Sequence, residues 1–160
     1  MTKSSRANKS APVLQPCIPY LRITTVADLV YIQPSTLAAL LSDPDSAAKT
    51  AVIDVRDSDH VGGHIRGSTW VPLPELEARI PELLRLNKEK DRVVFHCMLS
   101  QQRGPTAALR YARVKRAADL REETARRAQV CVLAGGFEAW RARYGEDSKL
   151  TESYAKDLWD

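Results

Sequence analysis

Short apolar runs alternating with helical patterns restrict this chain to very few folds. Ala51-Val-Ile-Asp-Val55 is a continuous apolar run broken by one carboxylate, the pattern of a parallel strand covered on both faces. Arg92-Val-Val-Phe95, extending to His96, and Gln129-Val-Cys-Val-Leu133 read as further core strands. Tyr31-Ile32 reads as a short edge strand, and Thr69-Trp-Val-Pro-Leu73 as another run after a loop marked by Gly62, Gly63 and Gly67. Helical patterns fall between them. One opens at Pro34, carries Leu37, Leu40 and Leu41 on its apolar side, and stops at Ser42-Asp43-Pro44-Asp45. A second runs from Pro74 to about Leu86, with Leu76, Ile80, Leu83 and Leu84 on one face. A third follows Gly104-Pro105 and runs to about Lys115, after which residues 115–127 read as a solvated, charged insertion. Gly135-Gly136 leads into a short closing helix at Phe137–Trp140.

Strands alternating with helices predict an α/β domain in which a central parallel sheet is flanked by helices on both faces, with right-handed crossovers. Ligands in such sheets bind beyond the carboxyl ends of the strands. At one of those ends stands His96-Cys-Met-Leu-Ser-Gln-Gln-Arg-Gly-Pro105, a strand end, a tight loop and a helix start. Backbone N–H groups at a helix N-terminus meet an anion with the positive end of the helix dipole, which favours a thiolate and an oxyanion alike. Gly104 lets the backbone approach a ligand closely, and Pro105 suits a helix start. The interval from Cys97 to Arg103 carries little weight alone in an Arg-rich chain. Only Cys97 shows it, however, since Ile23 and Phe137 stand at the equivalent places after Cys17 and Cys131.

The 160 residues fit one domain with flanking segments, and 44% hydrophobic content suits a globular class. No apolar stretch approaches the roughly 20 residues that cross a bilayer, so no membrane partner is expected. Three widely spaced Cys form neither a disulfide framework nor a zinc pattern, which points to a reducing compartment, cytoplasm or nucleus. Residues 1–27 carry Lys3, Arg6, Lys9 and Arg22 with no Asp or Glu, a transit-peptide-like composition that leaves mitochondrial import open. Pro12, Pro16 and Pro19 interrupt any helix there, so a flexible basic tail is the expectation, with Cys17 an incidental thiol. The net charge of +4 is spread among mixed signs, which argues against a specific nucleic-acid partner and suits a phosphorylated one. The expected organisation is tail 1–27, catalytic domain 28–145 and a C-terminal extension 146–160. In that extension Leu150, Tyr154 and Leu158 recur at spacing four, as in a short docked helix or a self-association contact.

Val52-Ile-Asp-Val-Arg56 with Gly63-His-Ile-Arg-Gly-Ser68, then His96-Cys97 with Arg103-Gly-Pro105, then Leu133-Ala-Gly-Gly-Phe-Glu-Ala-Trp140 together resemble a single rhodanese-fold domain over roughly residues 31–144. Within that superfamily the chain looks most like the M-phase inducer dual-specificity phosphatases and their small fungal relatives, arsenate reductases included. Similar sulfurtransferases place four residues between Cys and Arg, whereas the phosphatase-like members place five, as here. A wider ring of N–H groups suits a tetrahedral oxyanion. The resemblance implies that Cys97 is the nucleophile and that Arg103 holds substrate oxygens through its planar fork. Met98, Leu99, Ser100, Gln101, Gln102 and Gly104 would supply the remaining contacts. The implied substrate is a phosphorylated protein or small phosphoester, with no cofactor and no metal. The rival is arsenate, with glutathione as co-substrate. A sulfurtransferase and a noncatalytic phosphate-binding module stand further off.

Departures from the pattern matter. The M-phase inducer loop carries acidic residues, while this loop has Met98, Leu99, Gln101 and Gln102, so the general acid is unassigned; Asp57 and Asp59 read as ordinary surface carboxylates. A second Cys that follows the upstream strand's Asp in those phosphatases is Val55 here, so oxidised Cys97 would need an external thiol or another cysteine. Cys131 reads as a packed small hydrophobe. Asp54, a carboxylate in an apolar strand, must be paired and is expected to position a loop. His96 is expected to orient the catalytic loop from below, and His64 to tie its own loop to the backbone. His60 and His64 have helical spacing, but Gly62 and Gly63 between them argue against a helix and a metal site.

Overall fold

The computed structural model describes residues 25–160. The expectations for the basic N-terminal segment up to residue 24, including Cys17, lie outside the described residues. Five strands form a parallel sheet: β1 (Val30–Ile32), β2 (Thr50–Asp54), β4 (Thr69–Trp70), β5 (Arg92–His96) and β6 (Gln129–Leu133), in the order β1-β6-β5-β2-β4. β5 lies at the centre and its pairing with β2 sets Asp54 opposite His96 at the carboxyl ends.

Side-chain alternation along β5 builds two core layers. Val93 and Phe95 face one layer with Ile53, Val130 and Val132, covered by α3 (Leu76–Leu86) and α4 (Arg103–Asp119). Val94 faces the other with Val52, Cys131 and Leu133, covered by α1 (Pro34–Ser42) and α5 (Gly136–Tyr144). Helices therefore cover both faces, and apolar strands buried on two sides are the physical reason the strand runs are continuous. Among the described residues, no helix is long and apolar enough to cross a membrane.

Several local expectations change. Pro44 does not simply stop a helix: it opens α2 (Pro44–Ala48), because Asp43 accepts the Ser46 N–H and proline is tolerated at a first helical position. α4 continues past Lys115 to Asp119. The Lys115 ammonium is buried and donates to Asp119 and to the Arg126 carbonyl, which ties the charged stretch to the domain, while residues 120–124, 126 and 127 are exposed as expected.

The C-terminal extension is not an amphipathic helix with a four-residue repeat. It forms β7 (Thr151–Glu152), antiparallel to β3 (His64–Ile65), and then one 3-10 turn, Lys156–Leu158. Leu150 is buried while Leu158 is exposed, so the two do not share a face. Trp159 donates to the Gly62 carbonyl at 2.9 Å and packs on Phe137, and Trp140 donates to Thr151. These contacts dock the extension on its own domain.

Candidate active site

Cys97 follows the last residue of β5 and is buried, and its Sγ accepts the Ser100 N–H at 3.2 Å. Ser100 makes this turn with a left-handed backbone, φ 54°, uncommon for a residue with a side chain and a mark of local strain. Its hydroxyl is buried without a hydrogen-bond partner among the described residues. Met98, Leu99, Gln101 and Gln102 likewise make no backbone N–H hydrogen bond among the described residues. These N–H groups flank the Ser100 N–H that meets Cys97 Sγ, and Leu99, Gln101 and Gln102 are exposed, so their donors stay open to an acceptor from solvent.

The first turn of α5 sets the direction of that loop. Phe137 N–H donates to the Cys97 carbonyl at 3.0 Å, and Glu138 N–H to the Met98 carbonyl at 2.9 Å. In a trans peptide the N–H opposes the carbonyl, so the Met98 and Leu99 N–H groups point away from α5. Gly136 permits this approach: its φ is 61°, and a Cβ there would sit 2.7 Å from the Cys97 carbonyl and nearer still to that of Met98. Gly104, on the other side, would place a Cβ 3.3 Å from the Cys97 N, the His96 Cα and the Ser100 Oγ. Gly136→Ala is expected to push the loop off α5 and reduce oxyanion affinity at least about tenfold, because a misplacement on the scale of 1 Å costs about 10²-fold in a positioned site. Titration with inorganic phosphate checks it.

Behind the loop lies a buried ion pair. Asp54 and Arg56 are fully buried; Arg56 donates from Nε at 3.0 Å and from a terminal nitrogen at 2.7 Å to the Asp54 carboxylate, and also to the Gly63 carbonyl at 2.9 Å. Its guanidinium lies 4.1 Å from the Phe137 ring centre. Asp54 thus anchors Arg56, which reaches the turn at Asp59 and Gly63 and the Phe137 ring; Arg56 carried no role in the sequence reading although it stands two positions after a buried carboxylate. His96 places Nδ1 3.0 Å from the Cys97 carbonyl, which only accepts, so Nδ1 carries the proton. Its Nε2 is 3.8 Å from Asp54. Burial pushes the His96 pKa down, against the pull of Asp54.

Arg103 opens α4, and its guanidinium meets Asp59 end-on at 2.8 and 2.5 Å, with Asp57 3.7 Å away. Asp59 is therefore not the ordinary surface carboxylate expected from sequence. The hydrogen bonds from Arg103 lead the causes that hold its carboxyl below the usual range, and Asp59 in turn raises the pKa of Arg103. His64 bonds the Glu152 side chain at 3.0 Å and not the backbone. His60 ends a 3-10 turn and stacks on Trp70, ring centres 4.4 Å apart. Among the described residues no cluster of His, Cys, Asp or Glu has a metal-holding arrangement. Cys131 is buried beside Val94 in the other core layer, and burial pushes its thiol up to about 11. Val55 is fully buried.

The chain belongs to the rhodanese-like domain family, whose model matches residues 33–143. The CDC25-like phosphatase YCH1 of Saccharomyces cerevisiae is 36% identical, covering 84% of this chain and 97% of that protein. Arsenate reductase 2.2 of Oryza sativa subsp. japonica is also 36% identical, over 69% of this chain and 80% of that protein. The crystal structure of Saccharomyces cerevisiae Ygr203w, described as a homolog of single-domain rhodanese and Cdc25 phosphatase catalytic domain, matches with a TM-score of 0.67 at 33% identity. It covers 85% of this chain and 95% of that one. The resemblance carried by the three sequence blocks therefore holds.

Proposed function

We propose that the chain is a cysteine-dependent phosphatase of the protein-tyrosine or dual-specificity type, acting on a phosphorylated protein or small phosphoester. The observation that carries this reading is the loop itself: Cys97 Sγ accepts the Ser100 N–H, the N–H groups of Met98, Leu99, Gln101 and Gln102 around it stay open, and Arg103 follows at the first residue of α4. Such an array stabilises three phosphoryl oxygens and their developing charge. The Cys97 sulfur attacks phosphorus, a P–S bond forms, and the P–O bond to the ester breaks with its electron pair leaving on oxygen. Water then attacks the cysteinyl phosphate, phosphate departs, and the sulfur is regenerated. Met98 to Gln102 and Gly104 line this cradle, while Asp54 and His96 act through Arg56 and the Cys97 carbonyl. The similarity to YCH1, a CDC25-like phosphatase, supports the same reading.

The loop has no carboxylic acid to protonate a leaving group, so aryl phosphates, whose leaving groups need little protonation, are expected to turn over at least about 10²-fold faster than alkyl phosphates, the span typical of missing general acid catalysis. Initial rates for matched aryl and alkyl phosphates from pH 5 to 8, in reductant, with Arg103→Ala as control, test this. Equal rates on both classes would require an acid elsewhere. The same missing acid favours a second reading, arsenate reduction, in which no ester leaving group must be protonated. The similarity to arsenate reductase 2.2 points the same way. Arsenite formation that depends on both glutathione and Cys97, without aryl phosphate turnover, would select it.

A further inference from the structure

The acidic turn after β2 makes a contact that the chemistry above does not use. A guanidinium has five N–H donors. Asp59 occupies one on each terminal nitrogen of Arg103, the end-on edge, at 2.8 and 2.5 Å. The Arg103 Nε–H has no hydrogen-bond partner among the described residues, so a side-on edge remains for a second anion. The Asp59 carboxylate is itself fixed. Its Oδ1 accepts the Asp57 N–H at 3.0 Å, and the Asp59 carbonyl accepts a long hydrogen bond from buried Arg56 at 3.4 Å. Arg56 is anchored on Asp54 and on the Gly63 carbonyl. A line of charge-assisted bonds thus runs from the sheet end to the turn, and from the turn to the outer edge of Arg103.

We propose that Asp59 is a positioning residue: it grips the outer edge of the Arg103 guanidinium so that the Nε edge faces the Cys97 loop, pre-ordering the arginine for a tetrahedral oxyanion. This rests on the reading of residues 97–103 as an oxyanion site. An arginine held before the ligand arrives loses less rotamer freedom on binding, and its planar fork turns that order into geometry. The hydrogen bonds from Arg103 keep Asp59 ionised, so it serves as an acceptor and not as the missing acid. Asp57, 3.7 Å from Arg103, adds charge without a hydrogen bond.

The test measures how inorganic phosphate and arsenate protect Cys97 from iodoacetamide in the full chain, comparing wild type, Asp59→Ala, Asp59→Glu, Arg103→Ala and the Asp59→Ala/Arg103→Ala double variant. Asp59→Ala is expected to weaken protection about tenfold, the scale of one charge-assisted hydrogen bond, with KM for an aryl phosphate rising more than kcat falls. Asp59→Glu restores part of the loss. The double variant binds no worse than Arg103→Ala alone, because Asp59 acts only through that side chain. Tighter protection in Asp59→Ala would overturn the proposal and make the contact a competitor with substrate. Unchanged protection with loss of the basic limb of kcat would overturn it in favour of a proton donor, and full additivity in the double variant would overturn it as well. Absence of protection in wild type would instead defeat the oxyanion-site reading, and this inference with it.

Discussion

Cys97→Ser lowers aryl phosphate turnover at least about 10³-fold while phosphate binding survives. The loss follows from nucleophilicity: a serine hydroxyl ionises far less readily than a thiol, and no base stands beside it to take its proton, so the covalent route closes. The binding survives because the ligands of the oxyanion are backbone N–H groups and Arg103, none of which the substitution removes. A serine oxygen can still accept the Ser100 N–H that now reaches Cys97 Sγ at 3.2 Å. Initial rates and phosphate titration on the same preparation check both halves. Turnover within about tenfold of wild type would place the chemistry elsewhere.

Arg56→Ala is expected to give the largest stability loss of any single change near the site, about 3–5 kcal/mol, because it leaves the fully buried Asp54 carboxylate uncompensated. For a domain of this size that corresponds to a fall in melting temperature on the order of 10 °C. Chemical denaturation with fluorescence of the tryptophans reads it directly. Asp54→Leu combined with Arg56→Met would recover much of the stability, since well-packed apolar residues often equal a buried pair. Oxyanion binding would stay impaired in the double variant, because the Gly63 carbonyl and the Asp59 turn both hang from the Arg56 guanidinium. Recovery of stability without recovery of binding separates the structural from the functional role of the pair.

The parts of this molecule that were legible in the sequence are those with a local cause. β5 and β6 fall on Arg92–His96 and Gln129–Leu133 as expected, since burial on both faces writes a continuous apolar run. The Cys97 to Arg103 loop is one local segment between a strand and a helix, so its place at the carboxyl end of β5 could be read directly. What escaped was non-local. β3 and β7 are two-residue strands joined across the fold, too short for any period. The Arg103 to Asp59 contact spans 44 positions, so Asp59 looked like any exposed carboxylate in an acidic turn. Gly136 showed only as a turn residue, because its reason is the distant backbone of Cys97 and Met98. In the C-terminal extension a four-residue recurrence of Leu150, Tyr154 and Leu158 imitated a helix. The segment instead spends its hydrogen bonds on β3 and on the Gly62 carbonyl.

The most direct test of the central claim is to mix wild-type protein with an aryl phosphate labelled at phosphorus, denature within the first turnover, and map the label by peptide. The covalent route predicts label on the peptide that contains Cys97, at a level that rises and falls with turnover and is missing in Cys97→Ser. Steady phosphate release with no label on that peptide at any time would contradict it.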